Sequence, residues 1–214
     1  MVKRGGPGKG GDRPRLETLD LLREVYIANL RDGRARAGPL TASLGVDASS
    51  VSSALRDASA KKLVRTAKGV VELTPAGRRR LKVVMMGGAF EIIHPGHIDA
   101  LAEARKLGNA LVVVVATDES VERNKGRAPV TNQALRVGLV SSLRQVDLAL
   151  PGNKGSIYEI LLKVRPDIVA LGYDQRHSAE EIVREAARRG VSVRAARLGT
   201  TLPDLKSSKI LLSL

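Results

Sequence analysis

Cysteine and tryptophan are absent from this 214-residue chain, and one Phe and three Tyr make up its whole aromatic content. With no cysteine there are no disulfides and no thiolate metal site, as expected of an intracellular, cytoplasmic protein. Long hydrophobic runs are also missing. The longest, Ala110–Ala116, is too short to span a bilayer, so no membrane partner is expected. Met1–Gly11 is basic and glycine-rich without an apolar segment, which does not read as a signal peptide. Acidic residues are in deficit, 22 Asp/Glu against 36 Lys/Arg, for a net charge of +14. The excess is uneven: residues 1–82 hold 18 basic and 8 acidic side chains, and residues 83–214 hold 18 and 14. The N-terminal part is therefore the candidate for a polyanionic partner.

Histidine is scarce too, but two of the three histidines and the lone phenylalanine fall within Gly87–His97, GGAFEIIHPGH. An apolar run, Leu81–Met86, precedes this stretch and reads as a buried strand. Apolar residues at helical spacing follow it: Ile98, Leu101, Ala102, Ala104 and Leu107. Strand, glycine turn and helix together make a phosphate-binding layout. Gly87 and Gly88 let backbone amides approach an anion, and the unsatisfied first-turn amides of the helix point at it along the helix dipole. His94 and His97, three residues apart at this junction, can face one phosphate.

Gly88-Ala89-Phe90-Glu91-Ile92-Ile93-His94-Pro95-Gly96-His97 resembles the G-x-F-D-x-x-H-x-G-H signature of the cytidylyltransferase-like nucleotidyltransferases. Ala89 stands where that family often has threonine, which removes a hydroxyl contact to phosphate. Glu91 replaces the usual aspartate and lengthens a loop-ordering carboxylate by one methylene. Both histidines are kept. The resemblance implies an α/β fold, a Rossmann-like parallel-sheet nucleotidyltransferase domain.

The chain in order predicts a disordered basic tail over 1–14, a small winged-helix domain over 15–80 and the nucleotidyltransferase domain over 81–214. Helical spacing covers Leu16–Leu30 and stops at Asp32-Gly33; Leu40–Leu44 is a short helix closed by Gly45. Asp47 caps a helix through Val51, Leu55 and Ala58. Lys62–Arg65 and Val70–Leu73 read as strands about a Lys68-Gly69 turn, and Thr74-Pro75 opens a last helix. This order resembles a winged helix-turn-helix. It implies double-stranded DNA as a partner, with Ser49, Ser50, Ser52, Ser53 and Arg56 on or beside the recognition helix and Lys61, Lys62, Arg65 and Lys68 on the wing. Beyond Leu81, strands alternate with helices, as in a parallel sheet. Strands are expected at Leu111–Ala116, Asp167–Leu171 and Val191–Ala195. Helices are expected at Asp118–Glu122, Asn132–Leu143, Ser156–Val164, from Ser178 to Gly190, and from Ser207, with a loop over Asn124–Val130.

Further site candidates follow from the family resemblance. Lys125-Gly126-Arg127-Ala128-Pro129 resembles the K-x-R-x-P loop, which makes Lys125 a triphosphate contact. Arg136 matches an arginine implied to meet a phosphate. Arg144 and Asp147 match an R-x-V-D segment for which a structural role is as good a reading. Leu171-Gly172-Tyr173-Asp174-Gln175 resembles the LGYDQ of archaeal FAD synthetases, which makes Gly172, Tyr173 and Asp174 nucleotide contacts. Ser207-Ser208-Lys209-Ile210 resembles the closing S-[ST]-x-I, a second anion site at Ser207 and Ser208. His177 sits in no motif and reads as a surface residue.

The implied chemistry is in-line attack of a substrate phosphate on the nucleotide α-phosphorus with loss of pyrophosphate. His94 and His97 would serve the α-phosphate, and Lys125 with Ser208 the β- and γ-phosphates. A divalent metal ion such as Mg2+ would ride on the nucleotide's own oxygens, because no carboxylate cluster has ligand spacing. Within the class, LGYDQ points to ATP and FMN as substrates. The alternatives are CTP with glycerol-3-phosphate, or a regulator that senses nucleotide or flavin. A homo-oligomer is expected.

Overall fold

The structure, a computed structural model, describes residues 16–154, 157–173, 175 and 178–199. The expected tail over 1–14, Ser156, Asp174, His177 and the helix from Ser207 lie outside the described residues.

The N-terminal unit runs α1 (Thr18–Asp32), α2 (Ala37–Leu44), α3 (Ala48–Ala60), β1 (Val64–Ala67), β2 (Val70–Leu73) and α4 (Pro75–Arg79). Its local signals are sequence-borne. Asp47 accepts from the Ser50 amide at 2.9 Å, and Thr74 from the Gly77 amide at 3.1 Å with Pro75 in the first helical turn. β1 and β2 pair antiparallel with Ala67 opposite Val70, so Lys68 and Gly69 form a two-residue loop with φ of 50° and 74°. The first strand begins at Val64 rather than Lys62, because Lys62 has φ 55° and cannot belong to a strand. Ala35 adds an isolated antiparallel bridge to Val71.

The second unit runs β3 (Val83–Gly88), α5 (Pro95–Lys106), β4 (Ala110–Val115), α6 (Asp118–Lys125), α7 (Gln133–Ser141), β5 (Leu148–Pro151), α8 (Ile157–Val164), β6 (Ile168–Leu171), α9 (Ala179–Arg188) and β7 (Arg194–Arg197). The five strands form one parallel sheet in the order β5-β4-β3-β6-β7. β3, β4 and β6 are apolar almost throughout, as strands covered on both faces must be. Three boundaries differ from the sequence reading. α6 continues to Lys125 and stops at Gly126, φ 71°. β5, an edge strand of four residues ending in proline, left no sequence signal. β7 starts three residues late: the Val191 amide donates to Ala186 O and the Gly190 amide to Ala187 O, so the α9 terminus uses them.

The two units share a core. α1 buries Leu21, Leu22, Val25, Tyr26, Ile27 and Ala28, more than one helical stripe, because it is sandwiched between α2, α3 and β2 on one side and the sheet layer on the other. One apolar cluster joins these residues to Val83, Met85, Val112, Val114, Leu148 and Leu150 on one sheet face and to Leu161, Val164 and Ile182 above it. The opposite face packs under α5 and α7 through Val84, Met86, Leu111, Val113, Leu101 and Val140.

Polar contacts fix the junction at the N-terminal ends of the strands. Asp167 accepts the Val83 amide at 2.7 Å and both Arg78 Nη atoms at 3.1 Å. Arg78 also donates to Arg165 O at 2.6 Å. Asp147 accepts the Leu111 amide at 2.7 Å and pairs with Arg23 at 3.4 Å. Its role, and that of the segment it closes, is therefore structural. Tyr26 donates its hydroxyl to Val164 O at 2.7 Å, and burial pushes its phenol pKa up, with Asp167 adding to the rise and Arg78 opposing it.

Candidate active site

Strand order reverses at β3, which has β4 on one side and β6 on the other. In an open α/β sheet such a reversal opens a crevice at the strands' C-terminal ends. The loop after β3 carries the histidine motif and the loop after β6 carries Gly172 and Tyr173, so topology brings together two motifs that lie far apart in sequence. Gln175 ties them: its Nε2 donates to Gly87 O at 2.6 Å, and its Oε1 accepts the Gly172 amide at 3.2 Å. Arg197 on β7 donates to Gly172 O and Gln175 O, both at 3.0 Å. Nothing assigned Gln175 or Arg197 a role beforehand; the only signal was that Gln175 ends the LGYDQ segment.

His94 is the N-cap of α5, with Pro95 in the first turn. The His97 amide donates to His94 O at 2.9 Å, which sets both imidazoles on one side of the helix start, with ring centroids 3.9 Å apart. Both residues are half-buried. Phe90 is buried, with φ 50°, and its ring sits 5.4 Å from that of His97. Folding back in this way, it lies over Gly88, where an added Cβ would come within 2.7 Å of the ring. Gly88 is thus a glycine because Phe90 occupies the space of its side chain. Gly87 has an open environment and no such clash. Phe90 positions His97 rather than meeting a nucleotide. Gly96 lies half-buried in the first turn of α5 between the two histidines.

The basic residues of the site are already engaged. Glu91, its side chain fully buried, accepts from Lys125 Nζ at 2.6 Å, from Arg127 Nη1 at 2.5 Å and Nη2 at 3.2 Å, and from the Val130 amide at 3.0 Å. Burial alone would raise its pKa. The donors from Arg127, Lys125 and Val130 outweigh that and leave it at about 2. The one-methylene extension therefore reaches a two-cation clamp that holds residues 125–130 against the histidine loop. A lowered carboxylate pKa stabilises the fold above the unfolded value of 4.5 and loses that contribution as pH falls towards about 2. We expect Glu91→Gln to cost at most about 3 kcal/mol at neutral pH. We also expect it to flatten the stability profile between pH 4.5 and 2, read by denaturant unfolding across pH. A variant whose acid profile matches the wild type would refute the clamp.

Arg136, expected at a phosphate, is instead the largest fully buried side chain. It donates to Thr131 O at 3.1 Å, Ala89 O at 2.5 Å, Ala116 O at 2.8 Å and Asp118 Oδ1 at 2.6 Å. Its guanidinium thus joins the β3 loop, the end of β4 and the first turn of α6, which corrects the sequence expectation. Ala89 enters through its carbonyl, as an acceptor of Arg136. Gln133 does similar work nearby, donating from Nε2 to Val115 O and Gly152 O, each at 2.9 Å. Tyr173 is half-buried beside Gly172. Asp174, Ser207 and Ser208 lie outside the described residues. Among the described residues no three His, Asp or Glu side chains converge, so these residues offer no metal cage of their own.

On the N-terminal unit, Ser49, Ser52, Ser53 and Arg56 are exposed along α3, and Lys61, Lys62, Arg65 and Lys68 are exposed at the hairpin and its approach. Two of them already have partners: the Ser49 hydroxyl donates to Asp47, and Arg65 pairs with Glu72 across the hairpin, its Nε at 2.7 Å. Ser50 Oγ likewise donates to Asp47, at 2.9 Å.

A cytidylyltransferase-like family model matches residues 85–210. An FAD synthase of Aciduliprofundum boonei is 50% identical over 115 residues, covering 54% of this chain and 76% of its own length. An FAD synthase of Thermococcus onnurineus is 41% identical over 138 residues, covering 63% and 92%. Among solved structures, a lipopolysaccharide core biosynthesis protein of Thermoplasma volcanium shares 40% identity at a TM-score of 0.54, covering 56% of this chain and 98% of that one.

Proposed function

The chain belongs to the cytidylyltransferase-like family, and on that premise we propose that it joins ATP and FMN into FAD. It is a nucleotidyltransferase. The observation that carries the reading is the crevice at the strand reversal, with the His94–His97 pair at the start of α5 on one side and Gly172-Tyr173 on the other. The FAD synthases among its relatives supply the acceptor class.

In the proposed reaction a phosphate oxygen of FMN attacks the α-phosphorus of ATP. The bond from that phosphorus to the bridging oxygen breaks, and pyrophosphate leaves with the electron pair. His94 and His97, with the amides of α5, would hold the equatorial oxygens as charge builds on them, so positioning and charge stabilisation do the work. Lys125 would leave Glu91 for the outer phosphates, while Arg127 and the Val130 amide keep the loop attached. A divalent ion, where present, would be carried by the nucleotide and neutralise phosphate charge. Supplied with ATP, FMN and a divalent metal, the protein should form FAD and pyrophosphate in equal amounts, read by chromatography. Efficient use of CTP with glycerol-3-phosphate and no FAD would overturn the assignment.

For the N-terminal unit we propose a winged helix-turn-helix that binds double-stranded DNA. The exposed serines and Arg56 on α3 and the lysines of the hairpin support it. Duplex affinity should fall steeply with salt, each phosphate contact adding about 0.9 to the log–log slope. Lys61→Ala or Lys62→Ala should lower that slope by roughly one contact, whereas Ser52→Ala should change sequence preference instead. Fluorescence anisotropy at several salt concentrations measures both. Affinity no better than heparin-competed background on every duplex would make the unit an assembly domain.

A further inference from the structure

The outward face of α7 is unusual for this chain. Its inward positions, Arg136, Val137 and Val140, cover the sheet, while Ala134, Leu135, Gly138, Leu139 and Ser142 face outward. Leu135 is 62% exposed and Leu139 46%, with Val130 at 57% just before the helix; of the five large exposed apolar side chains among the described residues, three are here. Gly138 lies in the middle of the helix. A Cβ there would meet nothing within 4 Å, so nothing in its own chain calls for a glycine, which costs a helix about 1 kcal/mol relative to alanine. Not one of these outward positions is charged, although the chain carries +14.

We propose that this face is a homodimer interface in which α7 crosses α7 of a second copy near Gly138. Charge selects the occupant. A polyanion would need basic residues here, and an acidic protein partner would need them as well. Two copies of a strongly basic chain meet best through a face that carries no charge. A two-fold contact is self-complementary: Gly138 lets the backbones approach while Leu135 and Leu139 of each helix flank the crossing. The proposal does not depend on the reaction or on the DNA-binding reading.

Because the chain has no cysteine, Gly138→Cys is a clean probe. Under mild oxidation it should give a disulfide-linked dimer, whereas Leu162→Cys, on the exposed face of α8, should not. In sedimentation of the full chain, wild type should run as a dimer and Leu135→Glu/Leu139→Glu as a monomer with unchanged circular dichroism. Gly138→Ala should also weaken association, while raising the melting temperature of the monomeric double variant when combined with it. A wild type that stays monomeric at every concentration overturns the proposal and leaves the face to a different protein. A dimer that persists in the double variant overturns it in favour of another surface.

Discussion

Alanine in place of His97 is expected to lower kcat by about 10²–10³-fold, and alanine in place of His94 by a similar factor. Both rings sit at the start of α5, half-buried and 3.9 Å apart, where a pentavalent phosphorus would place its equatorial oxygens. Neither belongs to the apolar clusters, so the melting temperature should move little. His97 has Phe90 beside it, so its variant should lose slightly more stability than that of His94. Single-turnover measurements with saturating ATP and FMN separate chemistry from binding. Turnover within a few-fold of wild type in either variant would remove that histidine from the transition state.

The second large effect concerns stability. Arg136→Met should cost about 3–5 kcal/mol, because it leaves Asp118 and three backbone carbonyls without their donor in the interior. Arg136→Lys keeps the charge but cannot reproduce a planar fork that reaches four acceptors, so it should recover only part of the loss. Urea unfolding reads both. A structural role predicts a fall in stability with the KM for ATP little changed in the fraction that remains folded. Unchanged stability with a raised KM would instead make Arg136 a phosphate contact.

Local signals made much of this legible in the sequence. The glycine turn, the two histidines and the helix after them depend on neighbouring residues, as do the caps Asp47, Thr74 and Ser178. What stayed hidden depends on partners far along the chain. Arg136 looks the same in sequence whether it faces a phosphate or three carbonyls drawn from separate loops. Glu91 signalled loop ordering, but its two cations lie more than thirty residues away. The periodicity of α1 suggested one apolar stripe, and the helix buries two, because a second unit covers its other side. β5 was too short, and too close to its terminal proline, to register as a strand.

The junction at Asp147 and Asp167 fixes where the N-terminal unit holds the sheet. Both aspartates precede their strands, and the crevice lies beyond the other ends, one strand length away; β6 spans four residues, roughly 13 Å. The unit grips the sheet like a handle at its closed end. A molecule anchored through that handle, to a duplex or to a sensor surface, keeps its mouth turned outward. Substrates should reach the histidines of a tethered molecule as readily as those of a free one.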